Sequence, residues 1–136
     1  MKGKVIQIAM VLLMMALMIG CSREQDKTQK LSDLKFTVLD KQQLPDELHS
    51  LMEEKKAEAF KLTFIDGDDL YICAGYGKQP TGGYSISITE LYETENAVYV
   101  HTNLLGPAPG EGIQKSPSYP YIVVKLKKTD KNVVFE

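Results

Sequence analysis

The feature that most constrains this chain is a hydrophobic period of two that begins near residue 59. From there, apolar residues recur at every second position in four segments, and a fifth segment is almost wholly apolar. Alternation is the pattern of a strand with one buried face, whereas an uninterrupted apolar run indicates a strand buried on both faces. The alternating segments are 59–65, 83–92, 97–105 and 121–127, and the apolar segment is 69–75. Together they predict an antiparallel sheet with one covered and one wetter face, in which 69–75 is a central strand.

One helix is predicted ahead of these strands. Four apolar residues fall on one face at helical spacing, and a proline suits the first helical position. The four are Leu44, Leu48, Leu51 and Met52, and the proline is Pro45. A short strand at 34–40 and an edge strand at 132–135 complete the pattern. The expected fold class is α+β, a mainly antiparallel β-sheet of about five to seven strands with one covering helix.

The first twenty residues have the form of a secretory signal peptide. Lys2 and Lys4 precede an uncharged apolar run from Ile8 to Gly20, which is short for a membrane span. The run ends in Gly20-Cys21, which resembles the lipobox of bacterial lipoproteins. That resemblance implies cleavage after Gly20 and a palmitate-type lipid on Cys21, which anchors the protein at the extracytoplasmic face of the cell membrane. An uncleaved N-terminal anchor with an ordinary cysteine is the alternative.

The expected organisation is a signal peptide (1–20), a polar flexible tether (21–33) and one domain (34–136). A chain of 136 residues has room for one modest core. Its net charge is −2, and it becomes −4 without residues 1–20, which carry two lysines and no acids. This balance argues against a nucleic-acid binder, which needs a strong basic excess.

Antiparallel strands place their connections alternately at the two ends of a sheet. The short turns at 66–68, 93–96 and 128–131 are therefore expected at one end, and the long loops 76–82 and 106–119 at the other. Both loops are rich in glycine and proline, which makes them stiff, and tyrosines flank them. Stiff loops with tyrosines on a rigid scaffold suit a protein-binding surface. The alternative is that glycine and proline only turn the chain, and that each tyrosine packs under its own loop.

The candidate partner-binding residues lie in these loops and at their ends. Those of the first loop are Lys78, Gln79, Pro80, Thr81, Gly82, Gly83 and Tyr84. Those of the second are Pro107, Pro109, Gly110, Tyr119 and Tyr121.

Three segments carry a resemblance to a known family. They are GKQPTGGYSI (77–86), GPAPG (106–110) and SPSYPY (116–121), the last followed by VVK (123–125). In order and spacing they resemble the PrcB C-terminal domain family, over residues 44–128. The family takes its name from a lipoprotein subunit of a secreted-protease complex. The resemblance therefore implies an accessory or stabilising subunit that binds a protease at the cell surface.

A second resemblance is to chagasin-like inhibitors of cysteine proteases, which use an Asn-Pro-Thr-Thr-Gly-Tyr loop on the edge of a β-sandwich. Residues 79–84 are similar to that loop, but Gln79 replaces Asn and Gly82 replaces Thr. The chain also lacks the Trp of the third loop. An envelope structural or small-ligand-binding lipoprotein is a third alternative.

No pattern predicts catalysis or a cofactor. Cys73 lies in the middle of the apolar strand, where a buried structural thiol is expected. His49 and His101 lack the spacing of a metal site. We therefore expect a domain that is not an enzyme and that needs neither metal nor cofactor.

Overall fold

The computed structural model describes residues 30–110 and 113–136. The predicted signal peptide and Cys21, the predicted site of lipid attachment, lie outside the described residues, as do Glu111 and Gly112 of the second loop. Within these residues there is one α-helix, α1, which spans Asp46–Lys55 and follows a 3-10 turn at Lys41–Gln43. The strands are β1 (Ser32–Asp33), β2 (Thr37–Val38), β3 (Ala59–Asp66), β4 (Asp69–Tyr76), β5 (Ser85–Glu93), β6 (Ala97–Leu105), β7 (Tyr121–Lys127) and β8 (Asn132–Phe135).

The strands form two four-stranded sheets. Sheet A has the order β1-β5-β6-β8, and sheet B has the order β2-β7-β4-β3. Every pair is antiparallel except β6–β8, which is parallel. The expectation of a mainly antiparallel α+β fold with one helix is confirmed for the described residues, but these form eight strands rather than the five to seven expected, because the short strands β1 and β2 replace one predicted strand at 34–40. The expectation of a single sheet is wrong, because alternation shows that a strand has one buried face but not whether a helix or another sheet covers it.

The main core lies between the two sheets. It takes the apolar residues that alternate along β4 and β7 of sheet B and β5 and β6 of sheet A. Its buried members are Leu70, Ile72, Ala74, Leu91, Val98, Val100, Ile122, Val124 and Leu126. The sheets therefore pack as a β-sandwich, in which each sheet covers the inner face of the other.

A second core lies on the outer face of sheet B. Leu48 and Met52 of α1 are fully buried there, against Cys73 of β4 and Val123 of β7. Leu44 and Leu51 join this cluster, so the helical face predicted from the sequence is the one that packs. Strand β4 thus has the inter-sheet core on one face and the helix on the other, which explains why its sequence is almost wholly apolar.

The N-terminal chain crosses from one sheet to the other. The last residues of the expected tether take part in the fold, since β1 pairs with the end of β5 and the Leu31 N–H donates to the Glu93 carbonyl. The chain then leaves sheet A after Leu34, whose N–H bonds the Leu91 carbonyl, and forms β2 against β7 of sheet B. In the described part of the chain, no helix has the length and apolar character needed to cross a bilayer.

The two ends of the sandwich differ. At one end, which we call the closed end, the turns 67–68, 94–96 and 128–131 meet: the Lys128 N–H donates to the Asp68 carbonyl, and the Lys131 ammonium donates to the Thr94 carbonyl. The described chain also begins at this end, since Leu31 bonds Glu93. The two long loops lie at the other end, as the strand directions predicted.

Candidate functional site

The two long loops, 77–84 and 106–120, are joined directly to each other, and we call the surface they form the rim. Gln79 and Ser118 exchange two backbone hydrogen bonds, with N–O distances of 2.8 and 3.1 Å. The Gly82 N–H donates to the Gln114 carbonyl at 2.9 Å, and the Ser118 hydroxyl donates to the Thr81 carbonyl at 2.6 Å. Segments almost forty residues apart in the chain are thus held as one surface.

Gly83 shows why a glycine is needed in the rim. Its φ is +84°, a left-handed conformation that disfavours any residue with a side chain. A Cβ at this position would lie 2.9 Å from the Cβ of Pro107 and 3.1 Å from Cγ2 of Ile113. The two loops therefore approach each other at a place where the first has no side chain.

Tyr76 ties the rim to both sheets. It ends β4 in sheet B, and its hydroxyl lies 2.6 Å from the Thr102 hydroxyl on β6 of sheet A. Its carbonyl accepts a hydrogen bond from the Gln79 side-chain amide at 3.2 Å. The first loop therefore leaves the sandwich from a residue that is fixed on both sides.

The structure separates the predicted partner-binding residues into an exposed group and an inner group. The exposed group offers its side chains or backbone to solvent and comprises Lys78, Pro80, Gly83, Pro109, Gly110 and Tyr119. The inner group is half-buried and comprises Gln79, Thr81, Gly82, Tyr84, Pro107 and Tyr121. Gln79, Thr81 and Gly82 form hydrogen bonds within the rim. These residues therefore hold the two loops together rather than offering free polar groups to a partner.

A groove of about 440 Å³ runs beside the rim, where the starts of β5 and β7 face each other. Tyr84, Tyr119 and Tyr121 all line it, so three tyrosines predicted from the loops come together in one place. The other lining residues are Val38, Leu39, Lys41, Gly83, Ser85, Ile86, Ser118, Pro120 and Ile122.

Tyr121 is the most enclosed of the three tyrosines. The centroid of the Tyr121 ring lies 6.5 Å from the centroid of the Phe60 ring and 5.2 Å from the Lys41 ammonium. Its hydroxyl is buried and has no hydrogen-bond partner within the described residues. Burial, with a further contribution from the nearby Glu53 carboxylate, raises the pKa of Tyr121.

Sequence reasoning missed the contribution of the N-terminal chain to this site. Val38, Leu39 and Lys41 line the groove although they lie 36 to 39 positions before the first loop. They arrive there because β2 crosses onto β7, and no local pattern in 34–41 announces that pairing. The cation beside Tyr121 is therefore a product of the topology.

The side chains with reactive chemistry are placed away from the rim. Cys73 is fully buried under α1, and burial raises the pKa of its thiol to about 12, so it stays protonated at neutral pH. Within the described residues, no three His, Cys, Asp or Glu side chains are grouped so that they could hold a metal ion. The rim and groove instead offer backbone groups, tyrosines and the lysines Lys41, Lys78 and Lys115, which is the chemistry of a binding surface.

Comparison with known proteins gives one match. No curated protein and no solved structure matches the chain. The family model described as PrcB C-terminal matches residues 70–127. That span runs from β4 to β7 and contains both loops of the rim, whereas α1, β3 and β8 lie outside it. Residues 70–127 of this chain are therefore similar to the PrcB C-terminal family, which confirms the resemblance predicted from the loop segments.

Proposed function

We propose that this chain is a lipoprotein anchored at the extracytoplasmic face of the membrane through Cys21, and that its domain binds a protease as an accessory or stabilising subunit. The domain itself performs no catalysis. The family match is compatible with this role, because it covers the four strands and the two loops that build the rim.

The observation that carries the proposal is the direct bonding of the two loops to each other. Four hydrogen bonds join them, and Gly83 packs against Pro107. A surface that is already ordered loses little conformational entropy when a partner binds, so more of the contact energy remains as affinity. Exposed Pro80 and Tyr119 offer rigid contact area with few rotamers on that surface.

The position of the N-terminus supports a role at a membrane. The described chain begins at Lys30, at the closed end of the sandwich, and the rim lies at the opposite end. Eight residues lie between Cys21 and Lys30, and the nine Cα-to-Cα steps that join the two residues reach at most about 30 Å when extended. A lipid on Cys21 would therefore hold the closed end near the membrane and direct the rim outward.

The test of partner binding is recovery of a protease from solubilised membranes with the lipidated protein as bait. Thr81→Arg and Tyr84→Ala are the rim variants, and Thr63→Arg and Tyr99→Ala are the matched controls on β3 and on sheet A. We expect the rim variants to recover at least tenfold less protease and the controls to recover the wild-type amount. Equal recovery with all four variants would exclude the rim as the binding surface.

The anchor is tested separately by Cys21→Ala. We expect the wild-type protein to partition into the detergent phase and Cys21→Ala to partition into the aqueous phase. Mass spectrometry of the wild-type N-terminal peptide should show an acylated Cys21. An unmodified cysteine in the membrane fraction would contradict the lipoprotein assignment.

A second candidate function uses the same surface. Two bonded loops at the end of a β-sandwich can also enter a catalytic cleft, as the similarity of residues 79–84 to the chagasin-like loop implies. Papain-type activity measured with micromolar protein separates the two functions. Inhibition that Thr81→Arg abolishes would favour the inhibitor, whereas unchanged activity would leave the accessory subunit.

A further inference from the structure

Beside the groove, part of the edge of β5 is not paired with any strand of the described chain. On sheet A, β1 pairs only with the end of β5, and Leu34 makes the last bond, to Leu91. Within the described chain, Ser85–Ile88 pairs with β6 on one side and with no strand on the other. In an antiparallel strand every second residue directs its N–H and C=O to each side, so this stretch offers unpaired backbone groups to the groove.

The opposite wall of the groove offers fewer backbone groups. The Val123 carbonyl already accepts from Leu39, after which the chain turns into the 3-10 helix. Tyr121 is the one further residue of β7 that faces this side, because Pro120 before it directs its carbonyl to the Tyr76 N–H of β4. The β5 edge is therefore where an extended segment finds a run of bonding partners, and the bulge after Ile88 limits that run to about four residues.

The walls of the groove determine which side chains suit the added segment. Val38 is 55% exposed and Tyr119 is 37% exposed, so apolar surface remains accessible on the wall formed by β2 and β7. Lys41 is the one charged residue among the described residues that line the groove, and its ammonium lies 5.2 Å from the Tyr121 ring centroid. The nearby Glu53 carboxylate is engaged by Lys56 at 2.6 Å, so a carboxylate from a bound segment is the group that complements the Lys41 cation.

We propose that the groove binds an extended segment of the protein partner as an added strand on the β5 edge, with an acidic side chain of that segment paired with Lys41. This proposal rests on the proposed function, because it specifies the kind of segment by which the protease, or its precursor, binds in the groove. Main-chain bonds to Ser85–Ile88 supply affinity, and alternate side chains that contact Val38 and the tyrosines supply specificity.

The first test uses fluorescein-labelled six-residue peptides of alternating Val and Thr, with one central Glu, and the full chain as receptor. Two matched probes replace the Glu by Lys or methylate every second backbone nitrogen. Fluorescence anisotropy should show the Glu peptide binding at least tenfold more tightly than either probe. Lys41→Glu should reverse the preference for Glu over Lys, whereas Lys61→Glu on β3 should leave it unchanged.

The second test is backbone amide hydrogen exchange, which should slow within Ser85–Ile88 when the Glu peptide binds. Equal binding of the three peptides, or equal affinities in Lys41→Glu and wild type, would overturn the proposal. If Ser85–Ile88 already exchanges slowly in the free protein, and deletion of residues 22–29 makes that exchange faster, the occupant of the groove is this chain's own segment. Slow exchange only at high protein concentration would identify a second copy, and either result would also overturn the proposal.

The outcomes for the groove and for the rim can be separated. If Lys41→Glu recovers the wild-type amount of protease while Thr81→Arg recovers none, the groove proposal fails and the proposed function stands. If no variant, wild type included, recovers a protease, the proposed function fails while the peptide measurements still decide on the groove.

Discussion

Sheets A and B have the same number of strands but bury different numbers of faces. Sheet B is packed on both sides, with sheet A against its inner face and α1 against its outer face. Among the described residues, sheet A is packed on its inner face only, and its outer face carries Tyr92 and Tyr99, whose ring centroids are stacked 5.3 Å apart and which are partly exposed to solvent. Strands β4 and β6 are both inner strands of their sheets, yet their sequences differ. The sequence of β4 is almost wholly apolar because both of its faces are covered, whereas β6 alternates because one of its faces is covered.

This difference predicts where the chain tolerates substitution. Substitutions of residues buried against sheet B should lower the free energy of unfolding most, and substitutions on the outer face of sheet A should lower it least. Substitutions in the loop that joins the two sheets should have an intermediate effect. The following predictions test that order, from the largest expected effect to the smallest.

Leu48→Ala should give the largest loss of stability. Its side chain is fully buried between α1 and sheet B, so truncation removes buried apolar area and leaves a cavity. We expect the free energy of unfolding in urea to fall by about 2–5 kcal/mol. Leu105→Ala, at a residue 46% exposed at the end of β6, is the matched control and should change it by less than about 0.5 kcal/mol. Similar losses in both variants would contradict the comparison.

Gly75→Ala should be the next most costly change. Gly75 pairs with Phe60 on β3, and a Cβ there would overlap the Phe60 ring. We expect a loss of about 1–3 kcal/mol from overpacking. In a Phe60→Leu background the same change should cost less, because the smaller side chain vacates the position. A double-mutant cycle by urea unfolding measures this coupling, and an additive result would show that the ring moves aside without cost.

Gly83→Ala should have an intermediate effect, in the loop that joins sheet B to sheet A. A left-handed φ of +84° costs a residue with a side chain about 1–2 kcal/mol, and Pro107 leaves no free space. Gly82→Ala is the matched control, because its nearest neighbour would be 3.6 Å from the new Cβ and its φ is not positive. Thermal unfolding should show a lower melting temperature for Gly83→Ala alone. Equal melting temperatures would show that the rim tolerates a side chain at Gly83.

Glu93 should show the smallest effect, through the pH dependence of stability. Hydrogen bonds from the Lys131 ammonium and the Ser32 hydroxyl, both 3.1 Å, hold the pKa of the Glu93 carboxyl below its usual value of 4.5. Because the folded pKa is the lower one, the stabilisation is present above pH 4.5 and is lost as the pH falls through the folded pKa. Melting curves between about pH 6 and about pH 3 should show that wild type loses more stability on acidification than Glu93→Gln. Parallel curves would contradict this assignment.

Much of the fold followed from the sequence because its signals are local. The bounds of β6, β7 and β8 were predicted from alternation, and the buried face of α1 from helical spacing. Counting strand directions placed both long loops at one end, and the bond between Gln79 and Ser118 confirms it. These features depend on residues that are neighbours along the chain.

The division into two sheets was not predictable from the same signals. Alternation in β5 requires one buried face, but β7, β4 or a helix would satisfy it equally. For the same reason, no local sequence pattern indicates that β8 pairs in parallel with β6. Lys41 entered the site only through the crossover of β2, and Thr81 turned out to use its carbonyl inside the rim.

The bond between Gln79 and Ser118 has a consequence for how recognition depends on folding. Neither loop can supply this surface alone, since the two segments meet only after β4 and β7 have paired. A ligand that binds the rim therefore distinguishes fully folded molecules from incompletely folded ones. Its binding raises the melting temperature of the whole sandwich, and the rise grows with the logarithm of the free ligand concentration above Kd. Capture by the ligand would in this way select for completed folding.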